Sequence, residues 1–273
     1  MESRNGRPRA ITINAARLAR LLAAVAAALV AINVAMLLAW YSGTGWVRPG
    51  VLRLFYLDAE QNVPSYFSTL LLFLPAMALG VVAVLQRREG KRFATHWAVL
   101  SLTFLFLSMD EAASIHEGAI GPMREVLGPY ADGPLWFAWV VPGALACAVF
   151  GLSYVRFLWS LPGRTRRGMI ASGAVYLLGA LGMEMVGASY AFHHGQDNLL
   201  FTLISTAEES LEMAGLVWFL YVVLDYVGLV YGAVTLDVAS ALPATAAAER
   251  ESPGPDEPSA AQRRFAEQES PPR

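Results

Sequence analysis

Charged residues are scarce in this sequence of 273 residues, because Asp, Glu, Lys and Arg together make up only 15% of it. Soluble globular domains carry about 25% charged residues, so this composition argues against a soluble protein. The net charge of −2 is small as well, and a chain without a strong positive field has no general affinity for nucleic acid. We therefore expect no nucleic-acid partner.

Cysteine is almost absent, since Cys147 is the only one in the sequence. A single thiol forms neither an internal disulfide nor a cysteine-ligated metal site, and the apolar residues around it indicate a small buried side chain. The short motifs of phosphate-binding loops, of GxSxG hydrolases and of HExxH zinc enzymes are missing too. None of these three kinds of site is therefore supported.

Long apolar blocks are what the sequence has in abundance, and hydrophobic residues reach 56%. A helix needs about 20 apolar residues to cross the hydrocarbon core of a bilayer. Because the blocks are continuous rather than alternating, they favour helices, which pair their own backbone groups in lipid. Six windows qualify: 18–41, 65–86, 94–117, 134–160, 168–193 and 199–231. The sequence thus predicts an all-α polytopic transmembrane helical bundle of about six spans within residues 1–241.

Basic residues lie in alternate connections between these windows. One cluster precedes the first span, a second lies at 87–92 and a third at 156–167. With six spans the three clusters share one side, which the excess of Lys and Arg predicts to be cytoplasmic, as both termini then are. The first apolar stretch exceeds the usual 7–15 residues or so of a signal peptide, so we expect a retained span in the inner membrane. Residues 242–273, rich in Ala, Pro, Glu and Ser, predict a disordered cytoplasmic tail.

Ionisable residues occur inside the expected spans. At the bilayer centre each such residue raises the free energy of membrane insertion by roughly 2.5–3.5 kcal/mol. Three spans carry such residues, and a fourth polar segment, 58–62, comes just before the second span. In the predicted topology all four segments reach the non-cytoplasmic half of the membrane. Their nine carboxylates are Asp58, Glu60, Asp110, Glu111, Glu117, Glu184, Glu208, Glu209 and Glu212. Few basic residues lie near these acids to balance their charge. Their mutual repulsion must therefore be relieved by protonation, by water or by a bound cation.

A divalent metal ion resolves this crowding most directly, because carboxylate and imidazole are ordinary metal ligands. A glutamate that does not bind the ion can transfer protons during the reaction, and Glu111 or Glu209 is predicted to do so. Small residues around Glu184 also favour the close approach of another helix. The predicted metal ligands are Asp110, His116, Glu184, His194, Glu208 and Glu212.

Two local patterns bear on how these residues are arranged. At 100° per residue, a helix that continues to residue 117 places Asp110, Ser114 and Glu117 on one face. In the segment 58–62, DAEQN, oxygen-bearing side chains alternate as they do in loops that wrap a hard cation. Both patterns predict that the polar side chains converge.

Three functions are compatible with such a site, and whether the chain is an enzyme stays open. The first is a metal-dependent enzyme that acts on a lipid-like substrate at the outer leaflet, with the bilayer and a lipid or cation ligand as partners. The second is a cation or proton-coupled transporter or channel, against which the apolar inner halves of the spans and the lack of an internal repeat argue. The third is a non-catalytic membrane subunit or sensor.

The strings LDAEQNVPSYFSTLLL and FLFLSMDEAASIHE resemble stretches of uncharacterised bacterial integral membrane proteins. The resemblance covers these two segments and the pattern of spans, and it implies a multi-span helical fold without an assigned activity. Ferritin-like di-iron proteins pair Glu-x-x-His motifs, which this sequence lacks. Membrane hydrolases related to the alkaline ceramidases combine Ser, Asp and His with zinc, but their expected His-x-x-x-His is missing here as well.

Overall fold

The structure is a computed structural model that describes residues 13–232 and residue 234. Every regular element within these residues is helical, which confirms the predicted all-α fold. The predicted tail at 242–273 lies outside the described residues. The helices are α1 (Ala15–Tyr41), α2 (Pro49–Phe55), α3 (Val63–Arg88), α4 (Ala94–Ala113), α5 (Ile115–Gly118), α6 (Ile120–Leu127), α7 (Val140–Ser160), α8 (Gly163–Leu177), α9 (Glu184–His194) and α10 (Leu199–Tyr231).

Five helical stretches in the described part of the chain are long and apolar enough to cross a membrane. They are α1, α3, α7, the stretch from α8 to α9 and α10, and a sixth is added if α4 and the bent segment after it count as one span. A π-helical turn, Leu178–Met183, joins α8 to α9 without interrupting the helix. The prediction of about six apolar helices is therefore confirmed.

The predicted third span, 94–117, is wrong at its C-terminal end. Helix α4 stops at Ala113, because Ser114 adopts the left-handed conformation with φ of 51°, and the chain bends by 71° into the next segment. The predicted fourth span, 134–160, also begins too early, since α7 starts only at Val140 after a short 3₁₀ turn. Both differences shorten a span, and the first leaves the polar residues Ser114, His116 and Glu117 in a connection outside it.

Helix α10 is the centre of the bundle and packs against α1, α3, α8, the π-helical turn and α9. Its contact with α8 is close, because a Cβ atom added at Gly215 would lie 2.6 Å from the backbone nitrogen of Tyr176. Small residues allow spanning helices to approach in this way. The two backbones therefore hold each other in a fixed register.

The two ends of the bundle differ in chemistry. Buried Leu79, Val82, Trp97, Phe157 and Val223 form an apolar core at the end where α3 and α10 finish and α4 begins. The opposite end receives the C-terminal half of α4, the start of α10 and the loop before α3, which carry the acids of the sequence. The fold thus separates a sealed apolar half from a polar half.

Candidate metal site

Acidic side chains from four separate segments share the polar end of the bundle. Glu212 of α10 lies close enough to interact electrostatically with Glu111 of α4 and Glu184 of α9. Asp58, in the loop before α3, interacts in turn with Glu184. Helices and a loop that are distant in sequence therefore bring these charges together.

The helical members of this acid cluster are half-buried rather than sealed in the core. Each keeps part of its surface accessible: Glu111, Glu184, Glu208, Glu209 and Glu212. Carboxyl groups fully buried without partners would carry a large desolvation cost. Partial exposure lowers this cost.

The corner between α4 and α5 is held by the carboxylate of Asp110. The backbone N–H of His116 donates to Oδ1 of Asp110 at 2.8 Å, and Nδ1 of His116 lies 2.9 Å from Oδ2. These contacts exist because the helix ends at Ala113 and the chain turns back through Ser114. The prediction that Asp110, Ser114 and Glu117 share one helical face is therefore wrong, and a hydrogen-bonded turn replaces that face.

Glu60, His116 and Glu117 form a group that could hold a metal ion. One ligand atom from each lies within 4.8 Å of the other two. Glu60 belongs to the loop before α3 and accepts a hydrogen bond of 3.3 Å from the hydroxyl of Ser65. Partial burial, and then the negative charge of Glu117, raise the pKa of Glu60. A cation among these residues would relieve that repulsion.

Trp139 connects this group to the helices behind it. Its ring centroid lies 4.8 Å from that of His116, and its Nε1 donates a hydrogen bond of 2.6 Å to Oε1 of Glu184. The sequence carries no signal for this role, because a tryptophan near the end of a span is typical of the membrane interface. Only the fold reveals that Trp139 contacts both a histidine and an acid.

A pair of carboxyl groups lies deeper in the cluster. The carboxyl groups of Glu184 and Glu208 lie next to each other, and two carboxyl groups hydrogen-bond only when one of them holds a proton. Gly179 allows this approach, since a Cβ atom there would lie 2.8 Å from the carbonyl oxygen of Glu208 and 2.9 Å from Cγ of Glu212. The close helix approach predicted around Glu184 is therefore confirmed.

Of the six predicted ligands, His116 alone belongs to the three-residue group. Asp110 lies directly behind His116, while Glu184, Glu208 and Glu212 lie in the acid cluster. His194 lies at the exposed end of α9, where its ring stacks on Tyr190 at 4.4 Å. The role of these residues as ligands stays a prediction. Of the two group members absent from the predicted ligands, Glu60 looks in the sequence like an ordinary loop charge and Glu117 like a charge at the end of the predicted third span.

Asn62, which alternates with Asp58 and Glu60 in the segment 58–62, makes structural hydrogen bonds in the loop before α3. The amide oxygen of Asn62 accepts from the backbone N–H of Ser65, which caps α3. The amide nitrogen donates to the carbonyl oxygens of Arg53 and Tyr56. Asn62 therefore fixes the loop that carries Glu60, with both ends of its amide already hydrogen-bonded.

The chain matches a known protein family. A family model described as "Domain of unknown function (DUF8692)" matches residues 21–226. This range runs from α1 into α10 and includes every residue of the site. No curated protein and no solved structure matches the chain.

Proposed function

The chain belongs to the DUF8692 family of unknown function, and we propose that it is a membrane protein that binds a divalent metal ion through Glu60, His116 and Glu117. The proximity of one donor atom from each residue, within 4.8 Å, carries this proposal. Donors that share one ion at about 2.1 Å lie at most about 4.2 Å apart. A small movement of the side chains is therefore enough to enclose an ion.

The contact behind His116 supports the same assignment. Nδ1 of His116 is held by Asp110 at 2.9 Å, which leaves Nε2 as the atom that binds the ion. Metal-ligating histidines almost always donate their other N–H to a carboxylate, a carbonyl or water. We assign Asp110 to orienting the ligand rather than to binding the ion.

The donor set indicates the kind of ion and its chemistry. Two carboxylates and one imidazole suit Mn²⁺, Fe²⁺ or Zn²⁺. Three protein ligands leave a position for water or substrate, as in catalytic metal sites. An ion bound there lowers the pKa of its water or polarises a substrate oxygen.

The acids next to the group are placed to move protons for this chemistry. Glu111 interacts electrostatically with Glu60 and His116, and Glu209 interacts with Glu111. We assign both to proton transfer between the site and the acid cluster. A site at the ends of spanning helices suits a lipid-like substrate, and the positive-inside pattern supports a position on the non-cytoplasmic side of an inner membrane.

The Glu184–Glu208 pair favours a second candidate function, the exchange of protons for cations. Two carboxyl groups that share a proton can release it when a cation arrives. The apolar core around Trp97 and Phe157 argues against passage through the bundle. Asn33, a buried polar residue of α1, is engaged by Thr206 and by the backbone of Leu57. We therefore prefer a binding and catalytic role to transport.

The proposal is tested by measuring bound metal in the full chain. Purified protein is loaded with Zn²⁺ or Mn²⁺ in detergent, desalted and subjected to elemental analysis. We expect a stoichiometric amount of metal in the wild type and a loss of it in Glu60→Gln and His116→Ala. Glu125→Gln is the matched control, because Glu125 is an exposed acid of α6 in the same connection.

Two outcomes separate the candidates. If the wild type holds no more metal than His116→Ala, the metal site does not exist. If the wild type instead supports cation flux in proteoliposomes, and Glu184→Gln abolishes flux while bound metal is retained, exchange replaces catalysis as the function.

A further inference from the structure

A groove of about 990 Å³ lies between α1 and α10 on the outside of the bundle, and none of the acids described above lines it. Ala23, Ala27 and Ala31 form its wall on α1, and Met213 and Trp218 belong to the wall on α10. The groove exists because the alanines leave space that larger side chains would fill. Both helices are able to span a membrane, so the groove faces the lipid chains.

One end of the groove is positively charged. Arg20 is the only charged residue among those that line it, and its side chain is exposed. Its Nε donates to the carbonyl oxygen of Ala16 at 3.2 Å, which turns the guanidinium toward the N-terminal end of α1 and thus toward the membrane surface. The groove therefore combines an apolar length with a cation at its mouth.

A second arginine reaches the same end but is already paired. Arg164 donates to the hydroxyl of Tyr221, a lining residue, at 3.2 Å. Its guanidinium also forms a salt bridge of 3.0 Å with Asp225. Among the residues that line the groove, the charge that an external anion can use is therefore that of Arg20.

We propose that this groove binds an anionic phospholipid, with an acyl chain between α1 and α10 and the phosphate headgroup against Arg20. The shape and charge of the groove match such an amphiphile from one end to the other. A lipid without a phosphate or an apolar helix would fill the apolar length but would leave the guanidinium without a counter-charge, and a zwitterionic phospholipid brings its own cation next to its phosphate. This binding site is independent of the proposed metal site.

The probes are phosphatidylglycerol and phosphatidylcholine with identical acyl chains, added in equal amounts to the full chain in detergent. Lipid retained on the protein is measured by native mass spectrometry. We expect the wild type to prefer phosphatidylglycerol by about fivefold, the effect of one basic residue near an anionic headgroup. Arg20→Gln should remove this preference, and Ala27→Phe, which fills the groove, should remove retention of both lipids.

Two variants on α7 serve as matched controls. Arg156→Gln and Ala148→Phe change exposed positions of a spanning helix that does not line the groove, and both should retain lipid as the wild type does. Equal retention of the two lipids by the wild type would overturn the proposal, as would unchanged retention in Ala27→Phe. So would a wild-type dimer that Ala27→Phe converts to a monomer, because a second copy would then occupy the groove. If Ala27→Phe fails to fold, Arg20→Gln still tests the proposal, because Arg20 is exposed and its replacement should not disturb folding.

Discussion

At the scale of single residues, one carboxylate determines how His116 is presented to the rest of the site. The two oxygens of Asp110 engage two different N–H groups, one on the backbone and one on the ring of His116. An asparagine at this position offers one acceptor and one donor instead. The imidazole would then lose its orientation or change the nitrogen that carries the proton.

We therefore expect Asp110→Asn to weaken metal binding by about 10–100-fold, the usual effect of removing the partner of a ligating histidine. The change leaves all three proposed ligands in place, so some binding should remain. Competition with a coloured chelator measures the affinity. Asp132→Asn, at an exposed acid of the connection before α7, is the control, and an equal loss of affinity in both variants would contradict the assigned role.

Glu60 gives the site a pH dependence whose sign follows from its surroundings. Partial burial and the charge of Glu117 raise the pKa of Glu60, so the folded state holds this proton more tightly than the unfolded state does. Stability of the metal-free protein should therefore fall as the pH rises through the window just above the ordinary pKa of glutamate. Melting temperatures across this window should decline less in Glu60→Gln than in the wild type. Parallel curves would show that Glu60 does not contribute.

At the scale of elements, hydropathy predicts the number of spanning helices but not where α4 ends. No glycine or proline lies at Ser114 to mark the break, which is accompanied by the contact between Asp110 and His116. The sequence does reveal the acids in α9 and α10, because a carboxylate inside an apolar span is costly and therefore informative. It does not reveal Glu60 and Glu117 as a pair, since a loop charge and a charge at the end of a span are both common, and only the fold brings them together.

The contact between the π-helical turn and α10 is tested by adding one methyl group. Gly179→Ala would place Cβ within 3 Å of both Glu208 and Glu212, so the helices must separate or distort at a cost of about 1–3 kcal/mol. We expect a lower melting temperature by circular dichroism. Gly173→Ala is the matched control, because nothing lies within 4 Å of a Cβ at that position of α8. It should be neutral or slightly stabilising, and a similar loss in both variants would refute the packing argument.

At the scale of the whole molecule, the distribution of basic residues predicts which end faces the cytoplasm. Single cysteines are introduced at Trp46 or at Lys91 after Cys147→Ser removes the only native thiol. The positive-inside rule predicts that a membrane-impermeant maleimide labels residue 46 in intact cells and residue 91 only after permeabilisation. Both residues lie exposed in connections and neither has a positive φ, so either cysteine should be tolerated. The reverse labelling pattern would place the acid cluster on the cytoplasmic side.

The apolar core at one end of the bundle restricts the route by which a reactant reaches the acid cluster. Leu79, Phe157 and Val223 pack at the far end, so a polar reactant of the proposed site would have to reach the acids from the polar end. A reactant and its product must then pass through the same end in opposite directions. A product that leaves slowly would block the next reactant molecule. The product would then act as a competitive inhibitor with respect to the reactant.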